Sequence, residues 1–133
     1  MPDKTPGKGQ TYSNGNQMWR VPRLIELASV LPATEVPVHS FKEWGKNPWR
    51  GDYPFTLKDF ALHMQRVNDA DLDYPVIVSA EGWIMDGCHR LVKAKLLGLK
   101  TIMAVRFNVT PEPCVPDMDK ACWDEMEAAE LSQ

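Results

Sequence analysis

The chain has 133 residues, of which 44% are apolar and 25% charged, and its net charge is −3. These values fit one ordinary globular domain and exclude a strongly basic nucleic-acid footprint. A mean hydropathy of −0.36, with no apolar run near about 18 residues, excludes a membrane span as well.

The opening "MPDKTPGKGQTYSNGNQ" has neither a signal-peptide core nor an Arg-rich amphipathic pattern, and residues 1–17 read as a flexible leader of a cytoplasmic protein. The first helix is expected in "VPRLIELASVL", with Pro22 at its start, Leu24, Leu27, Ala28 and Leu31 on one side, and Pro32 as its stop. "ATEVPVHSF" reads as a short edge strand because of Pro37. "KEWGKNPWRGDYP" is loop by composition. Thr56 then opens a helix through a capping-box spacing to Asp59, and Leu57, Phe60, Ala61, Met64 and Val67 mark its apolar face. "YPVIVS" and "WIMD" form a hairpin about "AEG". From Gly87 the period becomes helical through Leu91, Ala94 and Leu97, with Gly98 closing the helix. "KTIMAVRF" is the last strand. Three prolines follow between Pro111 and Pro116, and an acidic helix is expected beyond them. The domain is therefore placed at 18–110, with 111–133 as a Pro-rich linker and acidic C-terminal helix. The order of elements predicts a small single-domain α+β fold, a mixed short-stranded sheet packed with helices.

Three cysteines, Cys88, Cys114 and Cys122, cannot all pair, and their spacings match no zinc pattern, so reduced thiols are expected. The chemistry concentrates in "IMDGCHR", where a strand meets a helix. A helix start exposes unpaired N–H groups at the positive end of its dipole, and a glycine before it lets an anion approach the backbone. Arg90 can clamp a phosphate or hold a carboxylate, His89 can donate to a phosphate oxygen, and Asp86 can bind a metal or accept a proton. A thiolate at Cys88 would gain from the dipole and the adjacent cations. Each residue also has a structural reading: Asp86 as helix cap, Cys88 as apolar filler, His89 as a packing residue, and Arg90 paired with Glu81 or Asp86. Trp44 and Trp49 can stack on a base or close a pocket, or can pack on the domain surface. His63 and His39 read as structural or exposed.

The segment "PVIVSAEGWIMDGCHRLVKAKLLGLKTIMAVRF" resembles the core of the ParB/sulfiredoxin superfamily, in which strand, turn, strand, "DG-x-HR", helix, "LG" and strand follow one another. "TEVPVHSF" resembles its first strand and "FTLKDFALHMQRV" its middle helix. The likeness runs over residues 34–107 and is most specific over 75–106.

The resemblance implies a site for the phosphates of a nucleotide (ATP, ADP or CTP, with Mg2+) around Gly87, Cys88, His89 and Arg90. Lys42, Lys46 and Arg50 are its candidate basic contacts, and Asp86 its candidate metal ligand. It implies Cys88, His89, Asp86 and Glu43 as candidate catalytic residues. Sulfiredoxins, which are sulfinic acid reductases, carry Gly-Cys-His-Arg, as here, but with Phe-Gly-Gly where this chain has Met85 and Asp86 before Gly87. Free serine kinases carry the Asp-Gly-x-His-Arg form and a glutamate base, for which Glu35 and Glu43 are available. ParB partition proteins add a DNA-binding domain that nothing after Phe107 resembles. Three functions follow as expectations: a phosphoryl-transfer enzyme, a sulfinic acid reductase using Cys88, or a non-catalytic partition-like or adaptor module. The expected partners are a nucleotide and a small-molecule or protein substrate, without nucleic acid or membrane.

Overall fold

The computed structural model describes residues 10–49 and 54–117. Arg50 and the expected acidic helix beyond residue 117 lie outside the described residues. Among the described residues the protein is a small α+β chain with three α-helices and two sheets, dividing into two compact units. Among the described residues no helix is long and apolar enough to cross a membrane.

The first unit takes in residues up to Leu27 together with those from Pro111 onward. Strands β1 (Thr11–Asn14) and β2 (Gln17–Arg20) form an antiparallel hairpin, and the left-handed φ of +61° at Gly15 makes its turn. This corrects the leader: from Thr11 the chain is strand, and Tyr12 sets its ring 5.5 Å from that of the buried Trp19. The returning segment pairs Met18 with Val115, and Trp19 Nε1 donates to Pro111 O at 2.8 Å. Helix α1 (Val21–Ala28) follows with Val21 and Leu24 buried, ending before Leu31.

The second unit, Ala28–Thr110, contains the "DGCHR" junction. Its sheet has the order β3 (Thr34–Pro37), β6 (Thr101–Arg106), β4 (Val76–Val78), β5 (Ile84–Asp86). The β3–β6 and β4–β5 pairs are antiparallel and β4–β6 is parallel. All three residues of β4 are buried, which accounts for the unbroken β-branched run of that segment. Val38, Phe41, Val76, Val78, Ile84, Leu91, Ala94, Ile102 and Ala104 form one core.

Helix α2 (Leu57–Asp69) begins with the expected capping box: Asp59 N donates to Thr56 Oγ1 at 3.2 Å and Thr56 N to Asp59 Oδ2 at 3.0 Å. Its buried side differs from the expected one. His63 and Val67 are buried, whereas Leu57 is 83% and Phe60 53% exposed. The polar His63 stands one helical turn before Val67 and finds a hydrogen-bonding neighbour inside, so the true inner stripe is not its most apolar line. Helix α3 (Cys88–Leu96) buries Leu91 and Ala94, and Gly98 follows with a left-handed φ of +75°. Leu97, expected on the inner face, is exposed at the helix end.

Candidate functional site

Strand β5 ends at Asp86 and α3 begins at Cys88, so Gly87 alone makes the corner. Its φ is +116°, and a Cβ there would lie 3.1 Å from Val76 Cγ2 and 3.2 Å from Val76 Cα. Only glycine meets both demands. Gly87, rather than Asp86, is the N-cap, and no side chain caps α3. The first N–H groups of the helix, from Cys88 onward, therefore lack the partner that a Ser, Thr or Asp cap supplies.

Asp86 and Arg90 form an i,i+4 ion pair with both side chains nine-tenths buried. Arg90 Nη1 also donates to Tyr74 O at 3.1 Å and to Pro75 O at 2.6 Å. The guanidinium thus ties the start of α3 to the chain entering β4, and its fork is spent on that job rather than turned outward. Asp86 as a metal ligand does not fit this arrangement, because its carboxylate already neutralises Arg90. Among the described residues no group of three or more His, Cys, Asp and Glu side chains gathers as a metal would require.

Glu43 stands in a 3-10 turn (Lys42–Gly45) and is buried, at 9% exposure. Its Oε2 accepts from Ile84 N at 2.7 Å, and its Oε1 is buried with no hydrogen-bond partner. The carboxylate is thus held at the first residue of β5, and its charge helps to raise the pKa of the Cys88 thiol. Glu35 is on β3, exposed, opposite Met103. Of the two candidate bases, only Glu43 is buried, bound to the first residue of β5, and it acts electrostatically on Cys88.

Burial, then the carboxylates of Glu43 and Asp86, push the Cys88 thiol up to about 12 against the opposing effect of Arg90. Cys88 packs against the hydrophobic core. It is a protonated thiol at neutral pH and a poor nucleophile. His89 lies on another side of α3, where its Nε2 meets His63 Nδ1 at 2.6 Å. Trp49 stacks on both rings, with centroids 4.2 Å from His63 and 4.9 Å from His89. Burial first, then the charges of His63, Arg66 and Arg90, hold His89 down at about 4, so the imidazole is neutral at pH 7. His63 is the partner that sequence reasoning set aside; its spacing to Val67 on α2 was the available signal. Trp44 has a packing role, with Nε1 donating to Val38 O at 2.8 Å.

Lys42 goes elsewhere. Its Nζ donates to Glu81 O at 2.8 Å in the turn joining β4 to β5, the end of the hairpin away from Gly87. Strands of three residues separate those ends by about 10 Å. Lys46 is exposed. The corner thus joins Gly87, Cys88, His89, Asp86 and Arg90, with Glu43 bound at Ile84, two residues before Asp86, and Lys42 at the turn beyond.

No protein-family model, no curated protein and no solved structure matches this chain.

Proposed function

We propose that the chain is a ParB/sulfiredoxin-like nucleotide-binding domain that takes the phosphates of ATP, ADP or CTP at the start of α3. The observation that carries this reading is the pairing of an uncapped helix start behind Gly87 with a buried glutamate, Glu43, whose Oε1 has no partner. Backbone N–H groups at residues 88–90 are suited to phosphate oxygens, since they cost no reorganisation when the anion arrives. Asp86 and Arg90 hold the corner in shape, and Gly87 lets β5 turn into α3 tightly against Val76.

An anion beside a lone carboxylate would be repelled, so Glu43 is better matched to a hydroxyl group or water lying between it and the phosphates. Accepting that proton is the task of a general base in phosphoryl transfer. On this reading Glu43 is the base and residues 88–90 hold the transferring group. His89 presents a neutral ring whose Nε2 is engaged by His63, leaving Nδ1 for the ligand. The high thiol pKa of Cys88 speaks against a sulfinic acid reductase.

Calorimetric titration with ATP, ADP and CTP, each with magnesium, tests the proposal. Binding at sub-millimolar concentration is expected for at least one of them, accompanied by shifts of the amide resonances of residues 87–90. Absence of heat and of shifts at millimolar nucleotide refutes it. Glu43→Gln should keep binding and lose turnover. Binding without turnover in the parent chain would instead identify the non-catalytic module.

A further inference from the structure

On the core face of the second unit's sheet lies a cavity of about 260 Å3 that the α3 start does not use. The strand registers set Thr34 opposite Ala104 and Val78 opposite Arg106, so these residues line one face. Val36, Phe41, Val78 and Ala104 make its apolar floor, while Ser40, Thr34, Lys42 and Arg106 bring polar groups to its edge. The two cations converge. A Cβ at Gly82 would lie 3.4 Å from Lys42 Nζ and 3.8 Å from Arg106 Nη2. Gly82 itself has a φ of +93°, so the turn holds a residue without a side chain between them.

Each cation is steadied and only partly used. Lys42 Nζ donates to Glu81 O and sits 5.0 Å from the Trp83 ring centroid. Arg106 Nη2 donates to Ala80 O at 2.6 Å. An ammonium carries three donors and a guanidinium five, so both retain N–H groups for a ligand. Among the described residues Glu81 is the one carboxylate lining the cavity, and its Oε2 accepts from Thr110 Oγ1 at 2.6 Å. Two positive charges held near one glycine against one negative charge leave an excess that an anion would relieve.

We infer that this cavity is a second ligand site, independent of the nucleotide reading, for a small acid: a carboxylate or phosphate monoester on a compact apolar body. The charged head sits between Lys42 and Arg106, and the body rests on Val36, Phe41, Val78 and Ala104. The volume lies just below the usual range of ligand pockets, about 300–1,000 Å3, so it suits a molecule of amino-acid size rather than a whole nucleotide.

The test uses the full chain, isotopically labelled, and follows amide resonances while phenyl phosphate, benzoate, inorganic phosphate or neutral benzyl alcohol is added. Benzoate or phenyl phosphate should shift Gly82 and Arg106 saturably, and whichever shifts them more tightly identifies the head group. Benzyl alcohol and inorganic phosphate should each bind about tenfold or more weakly, since each lacks one half of the match. Arg106→Gln should cost about tenfold in affinity by removing the charge. Thr34→Phe, at an exposed edge position, should block the cavity with both cations in place. Shifts confined to residues 87–90, equal affinity for inorganic phosphate, or unchanged binding in a folded Thr34→Phe chain would each overturn the inference.

Discussion

Alanine at Gly87 would challenge the α3 corner directly, since the added methyl would have nowhere to go. It would meet Val76 Cγ2 at 3.1 Å, Val76 Cα at 3.2 Å and Arg90 Cζ at 3.3 Å. Val76 is fully buried in the middle of the sheet, so its backbone cannot retreat. Holding a non-glycine residue at positive φ costs about 1–2 kcal/mol, and crowding a packed interior adds about 1–3 kcal/mol. Gly87→Ala should therefore destabilise the chain by about 2–5 kcal/mol, a large share of an ordinary domain's stability. Gly98→Ala is the control, because φ there is +75° but nothing lies within 4 Å of an added Cβ. It should lose only the backbone cost, about 1–2 kcal/mol. Urea denaturation followed by tryptophan fluorescence reads both. The Gly87 variant should lose more than about 1 M in midpoint and clearly more than the Gly98 variant. Equal midpoints for the two variants would refute the claim that Val76 closes off the corner.

Arg90→Lys, which keeps the charge and loses the planar fork, should cost about 1–3 kcal/mol in the same assay, because carbonyls of Tyr74 and Pro75 lose their donor. Cys88 should resist iodoacetamide at pH 7.5 in the folded chain and react on denaturation, with labelling located by peptide mass. Because the folded thiol titrates near 12 rather than 9, its contribution to stability is complete below pH 9 and is lost as pH rises toward 12, a slope that Cys88→Ala should flatten. His89 is the opposite case, with its value lowered from 6.5 to about 4. Its contribution is present above pH 6.5 and is lost as pH falls toward 4, since the unfolded chain takes up the proton first. His89→Gln should reduce that acid sensitivity, measured as urea midpoints from pH 7 to 4.

Local signals in the sequence read well where they had a local cause. The capping box at Thr56 and Asp59, the hairpin about Gly82 and the left-handed Gly98 all depend on residues a few positions apart. Long-range partners did not read. Nothing local says that Arg90 will reach Tyr74 and Pro75, that His63 will meet His89, or that Lys42 and Glu43, adjacent in one turn, will bind the β4–β5 turn and the first residue of β5. The inner face of α2 misled for a related reason: apolar periodicity ranks side chains by hydrophobicity, and a histidine with an internal partner outranked Leu57 and Phe60. The hairpin of β1 and β2 was hidden because "TYSNGNQMWR" has few apolar residues beyond Tyr12, Met18 and Trp19.

The order β3-β6-β4-β5 also shapes how this chain is born. The strand that the sheet needs in its middle, Thr101–Arg106, is the last of that sheet to leave the ribosome. Until it emerges, Thr34–Pro37 has no neighbour in the sheet and Val76–Val78 has only Ile84–Asp86. Helix α2 and the β4–β5 hairpin can form early from local contacts, but closure waits for one late segment and joins partners far apart in sequence. A nascent chain halted shortly before Thr101 would present two strand edges at once, each open to whatever other chain arrives first.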